Sequence, residues 1–132
     1  MILIAVLSIV VEQVLPSTIP RSPHPQWAAL LYGFGLVTAF APIEEIVWRG
    51  YAITELEALT DRRWVSWGAS AFAFGAFHWW GGPALMVTAT AAGLAYTGIF
   101  WWRNTLVAAV SAHLVADLPL FFFMLFQIQP PQ

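Results

Sequence analysis

Six ionisable side chains lie in stretches that are otherwise almost wholly apolar: Glu44, Glu45, Arg49, His78, His113 and Asp117. Inside a bilayer such groups cost about 2.5–3.5 kcal/mol each on insertion scales, so they persist only when paired or facing a wet cavity. A set of buried ion pairs that only fixes helix register would account for one pair. It accounts poorly for two imidazoles and three carboxylates in one small chain. A carboxylate next to imidazoles is suited to acid–base work on a water molecule. A second imidazole can donate a hydrogen bond to a developing oxyanion. Together these groups fit water attack on a peptide carbonyl. The same donors, two His with carboxylates, also suit a divalent ion such as Zn²⁺ or Fe²⁺, and spacing alone leaves both chemistries open. The H-E-x-x-H helix of zinc proteases is absent from the sequence. Ser66, Ser70 and Ser111 lack the G-x-S-x-G surroundings of a serine nucleophile and read as packing residues.

The spacings sort these groups. Glu45 and Arg49 are i,i+4 with the acid first, the better order for a helical ion pair. That pair reads as structural. Glu44 lies about 100° around the helix from Glu45 and is free to address another helix. His113 and Asp117 are also i,i+4, so Asp117 is expected to orient the imidazole and fix its tautomer. Phe74 and His78 share a face in the same way. Trp48, one turn past Glu44, could line the site or pack beside it.

The elements that must carry these residues are membrane helices. Of the 132 residues, 60% are apolar and 9% charged, with 8 Trp and 10 Phe. A soluble domain averages about 25% charged residues. Mean hydropathy is +0.73. The composition excludes an ordinary soluble domain and a disordered chain. Net charge −2 with five scattered Arg excludes nucleic-acid binding, which needs a basic patch. Zero cysteines exclude disulfides, thiolate nucleophiles and Cys–zinc sites. The expected fold class is all-α: a polytopic transmembrane bundle of four core helices plus a short N-terminal helix.

Residues 1–26 read as that short hydrophobic helix followed by a loop with four prolines. Nothing basic precedes the helix and no A-x-A follows it, so it is not read as a cleavable signal. Residues 27–127 form the core, and 128–132 a disordered tail. Within the core, one helix is expected from 27 to about 59, with TDRR at 60–63 as a turn. A second runs over 64–80, then Gly81-Gly82-Pro83 makes a tight turn. A third covers 84–102, with small residues that allow close packing. Arg103-Asn104 turn into a fourth helix over 105–126, which Pro119 could kink. The Trp and Tyr residues read as an aromatic belt at the membrane interfaces. Arg62, Arg63 and Arg103 outnumber Arg21 across the bundle, which places residues 55–63 and 103–104 in the cytosol.

Depth arithmetic asks whether the ionisable groups can meet. Glu44 precedes the TDRR turn by about 15 residues and His78 follows Arg63 by as many, so both lie roughly 22 Å along antiparallel helices. His113 and Asp117 lie roughly 15 and 21 Å beyond Arg103. The four therefore fall within about one turn of a common level.

These motifs resemble a known family. Glu44-Glu45-Ile-Val-Trp-Arg49 matches the EExxxR motif of the CAAX protease and bacteriocin-processing (CPBP, or Abi) intramembrane proteases. Phe74-Gly-Ala-Phe-His78 matches its FxxxH motif, and His113-Leu-Val-Ala-Asp117 its HxxxN/D motif. Asn104-Thr105-Leu106 is similar to the family's entry into that last helix. Order and spacing agree over residues 27–127. The family includes the type II CAAX prenyl endopeptidases and members linked to bacteriocin maturation and self-immunity. The resemblance implies that Glu44 and His78 activate water, that His113 and Asp117 hold the oxyanion, and that Glu45, Arg49, Phe74 and Asn104 support the site. It implies a peptide or lipid-anchored protein substrate in the membrane, a multi-pass location in a prokaryotic plasma membrane, and either a glutamate-type or a zinc-dependent mechanism. An oligomer would suit so short a chain. Position 117 is Asp where the eukaryotic enzymes have Asn, and an ionised Asp cannot donate to an oxyanion. That departure motivates the alternative of a non-catalytic immunity or membrane binding protein. Acid and His chains in lipid also suit a proton relay.

Overall fold

The computed structural model describes the backbone of residues 27–125, with side chains described from 31 to 118 except 32. The expected N-terminal helix and proline-rich loop of 1–26, and the tail, lie outside the described residues. All regular structure among the described residues is helical: α1 (Trp27–Glu45), a π-helical segment (Ile46–Ala52), α2 (Ile53–Thr60), α3 (Arg63–Phe77), a 3₁₀ turn (Trp79–Gly81), α4 (Gly82–Arg103) and α5 (Leu106–Leu125).

The first rod corrects the expectation of one regular α-helix from 27 to 59. It carries Pro42 inside α1 and changes to π geometry at Ile46. Proline has no N–H to offer the preceding turn, and a π segment re-aims every side chain it carries. Both departures fall beside Glu44, Glu45 and Arg49. The rod ends where expected. Asp61 takes a left-handed conformation, φ 50°, and its N–H bonds Glu57 O at 2.9 Å. Asp tolerates that conformation better than most residues. The Thr60 hydroxyl donates to Leu56 O at 2.6 Å and lies 3.1 Å from the Ser66 hydroxyl, fixing the entry to α3.

The second turn differs from expectation. Gly81-Gly82-Pro83 is not a separate tight turn: α3 ends before His78, one 3₁₀ turn follows, and α4 already begins at Gly82. Gly82 has φ 80°, which only glycine adopts freely. Pro83 then stands in the first turn of α4, where its missing N–H costs nothing. Asn104, also left-handed at φ 50°, ends α4. The backbone of α5 continues through position 119 as helix.

Helix α3 packs along α4, α5 against both α4 and α1, and α2 against α3. Two glycines let α3 and α4 come close. A Cβ on Gly75 would collide with the Thr90 side chain and lie 2.7 Å from Met86 O. A Cβ on Gly93 would lie 3.2 Å from the Ala71 Cα and from the Phe74 ring. The core between the helices is made of small residues, Ala41, Ala71, Ala84, Ala89, Ala92 and Ala109, around Ile53, Phe74 and Tyr96. The large apolar side chains point outward: Leu31, Phe34, Phe40, Ile43, Ile46 and Val47 are all exposed along the first rod. One helix, Trp79–Arg103, is long and apolar enough to cross a membrane.

Candidate active site

The cluster draws on five elements. Glu44 and Glu45 close α1, Arg49 sits in the π segment, Phe74 and His78 lie at the end of α3, and His113 and Asp117 lie on α5. Helix α4 adds Gly93 and Tyr96.

Its centre is buried and charged. Glu45 is 0% and Arg49 1% exposed. Arg49 Nη1 donates to Glu45 Oε1 at 2.8 Å, the expected i,i+4 pair. Nη2 donates to Gly93 O at 3.1 Å, which ties the rod to α4. The guanidinium carbon stands 4.7 Å from the Phe74 ring centroid and 5.3 Å from that of Tyr96. Aromatic faces attract a desolvated cation, so the two rings offset part of the cost of burying it. Glu45 Oε2 and Arg49 Nε have no hydrogen-bond partner among the described residues.

His113, 7% exposed, is held on several sides. Its Nδ1 lies 2.8 Å from Glu45 Oε1. The carboxylate oxygen can only accept, so Nδ1 carries the proton. This corrects the expectation that Asp117 fixes the tautomer: Glu45 does so from another helix. Nε2 is left facing two other carboxylates, Glu44 Oε2 at 3.8 Å and Asp117 Oδ2 at 3.7 Å. Both separations exceed a hydrogen bond. Glu44 and Glu45, expected to address different surroundings, thus meet opposite nitrogens of one ring.

His78 joins through Phe74. Its Nδ1 donates to Phe74 O at 2.8 Å, so the bond to the backbone does not use Nε2. Its ring meets Phe74 edge-on with centroids 4.7 Å apart, and Phe74 in turn meets His113 at 6.0 Å, also edge-on. Trp48 is half-buried and packs edge-on against Phe74 at 5.8 Å and Phe77 at 6.2 Å, while its carbonyl accepts from the Ser70 hydroxyl at 3.3 Å. Asn104 occupies the exposed turn before α5, more than two helical turns from His113 in sequence. Among the described residues, no group of three or more His, Asp or Glu side chains is arranged to hold a metal ion.

Tyr96, expected with the other tyrosines in an interfacial belt, lies in the core instead. It is 2% exposed and stacks on His113, with centroids 4.7 Å apart and planes at 23°. Its signal was its position, three residues after Gly93 and so on the same helix face. The tryptophans fit the belt better. Trp64, Trp67 and Trp101 cluster with centroids 5.1–6.4 Å apart. Arg63 lies 4.1 Å over Trp101, and Trp79 and Trp80 are exposed at the opposite end of α3.

The described residues are all helical or in turns between helices, and they bring carboxylates and imidazoles together between apolar helices. The family model described as Type II CAAX prenyl endopeptidase Rce1-like matches residues 25–119, and the chain belongs to that family. Its members are membrane proteases, and membership implies a membrane-associated protein substrate. No curated protein and no solved structure matches the chain.

Proposed function

We propose that this chain is a multi-pass intramembrane endopeptidase whose hydrolytic water is handled by Glu44 and His78. The observation that carries the reading is the position of Glu44, whose carboxylate stands 3.8 Å from Nε2 of His113 instead of being consumed by Arg49. Glu45 neutralises Arg49 and leaves Glu44 free. Several spans, rather than the one that length and hydropathy single out, are supported by the apolar exterior of the first rod and by tryptophans at both ends of α3 and α4.

The chemistry follows from the donors. Glu44 takes a proton from water, with His78 Nε2 accepting a hydrogen bond from the same water. The hydroxyl oxygen adds to the peptide carbonyl carbon, and the carbonyl oxygen becomes an oxyanion. His113 in its doubly protonated form donates from Nε2 to that oxyanion, while Nδ1–H stays on Glu45. Asp117, on the same edge of the ring, supports it by holding a proton or by orienting Nε2–H. The proton on Glu44 then passes to the amide nitrogen, the C–N bond breaks, and the acid and amine products leave.

The test is cleavage of a membrane-associated peptide library, prenylated and unprenylated, by the purified protein in proteoliposomes. Glu44→Ala and His78→Ala should each bring hydrolysis to background while helical content and melting temperature stay near those of the parent. Hydrolysis at the parental rate by either variant rejects the assignment.

A further inference from the structure

We infer that Tyr96 is a positioning residue: its ring holds the plane of the His113 imidazole, so that Nε2 stays aimed between Glu44 and Asp117. The inference deepens the proteolytic reading and rests on it for its kinetic part alone.

An imidazole on a helix has two free torsions. One hydrogen bond, from Nδ1 to Glu45, fixes a point on the ring but leaves rotation about the axis of that bond. Two contacts remove it. Phe74 meets the imidazole edge-on at 86°, while Tyr96 lies against its face at 23°. A flat ring pressed on one face and abutted by an edge cannot swivel without separating from one of them. Nothing else named around His113 offers a face: Glu44, Glu45 and Asp117 approach its nitrogens in the ring edge.

Tyr96 is itself anchored. It is buried in the small-residue core and carries the Arg49 guanidinium at 5.3 Å from its centroid. It is one helical turn from Gly93, whose carbonyl binds that same guanidinium. Helix α4 bears no titratable group of the cluster other than this phenol. Its contribution is therefore a carbonyl that pins Arg49 and a ring that pins His113. The contact uses the ring and not the hydroxyl, which separates two substitutions. Tyr96→Phe keeps the stacked face. Tyr96→Leu keeps apolar volume but loses the flat surface.

The experiment combines kinetics with ¹⁵N spectra of histidine-labelled protein in detergent, with His113 assigned by comparison with His113→Gln. At a pH where the ring is neutral, His113 in the parent and in Tyr96→Phe should show one tautomer with the proton on Nδ1, and kcat should agree within about threefold. In Tyr96→Leu the two nitrogens should approach averaged shifts, and kcat should fall about ten- to a hundredfold with KM within twofold, as expected for a misaimed group. The inference is overturned if Tyr96→Leu keeps both the single tautomer and the rate, or if Tyr96→Phe loses as much as Tyr96→Leu. Should Tyr96→Leu not fold, averaged His113 nitrogens in the parent or in Tyr96→Phe overturn it equally. A parent that shows the locked tautomer but cleaves no peptide rejects the protease reading and leaves the positioning role standing.

Discussion

Glu45 and His113, 68 positions apart in the chain, share a 2.8 Å hydrogen bond through the same carboxylate oxygen that accepts from Arg49 Nη1. One atom, Glu45 Oε1, therefore couples the first rod to α5 and, through Arg49 and Gly93, to α4. The motif glutamates divide the work accordingly: the second builds the frame and the first is left facing the open side of the histidine.

Removing Arg49 should be costly to the fold. Arg49→Met would leave Glu45 charged, buried and short of its cation, and stranding one partner of a buried pair costs about 3–5 kcal/mol. Glu45→Gln combined with Arg49→Met should recover part of that loss, because no uncompensated charge remains. Denaturation of the three proteins in micelles measures both values and the coupling between the sites. A single Arg49→Met loss below about 1 kcal/mol would show that the pair does not hold the frame.

Asp117 offers a sharper question, because it shares the Nε2 edge of His113 with Glu44. If its task is to support an oxyanion, an amide can do it at least as well, since the NH₂ group donates in any charge state. Asp117→Asn should keep kcat within about tenfold. Asp117→Ala should lose about a hundred- to a thousandfold, the usual effect of deleting an oxyanion donor. Equal losses in both variants would point instead to a requirement for the carboxylate itself.

Much of this arrangement is legible in the sequence. The i,i+4 spacing of Glu45 and Arg49 gave their ion pair, because one helical turn is a local distance. Counting rise per residue from the turns puts Glu44, His78, His113 and Asp117 near one level, because antiparallel rods with short connections keep their register; of these, Glu44 and Asp117 both stand within 4 Å of the His113 ring. What was not legible depended on rotation and on contacts between rods. The expectation that Asp117 fixes the His113 tautomer follows from its place one turn away on the same helix, whereas the partner of Nδ1 is Glu45, 68 positions earlier on another rod, whose facing no local spacing sets. Pro42, lying before the motif, was passed over as a departure from regular helix. Tyr96 was hidden for a different reason: its side chain type suits an interface as well as a core, and only the close approach of α3 and α4 decides between them.

That close approach yields a last prediction. Gly75 faces Thr90 and Met86 O with no room for a Cβ, whereas a Cβ on Gly68, two turns earlier on α3, would meet nothing within 4 Å. Gly68→Ala should be neutral or stabilising, because alanine is favoured over glycine in a helix by about 1 kcal/mol. Gly75→Ala has the same propensity gain but must push α3 away from α4, and such overpacking costs about 1–3 kcal/mol. Trimming the side-chain obstacle with Thr90→Ala should recover only part of this, since the Met86 carbonyl 2.7 Å away is backbone and cannot be removed. Phe74 and His78 ride on α3 while Gly93 and Tyr96 ride on α4, so the shift should also lower kcat in Gly75→Ala and leave Gly68→Ala unaffected. Melting temperatures and cleavage rates of the three variants, measured side by side in one detergent, decide the matter. Equal stability of Gly68→Ala and Gly75→Ala would mean that the two helices are not in the contact that brings the halves of the site together.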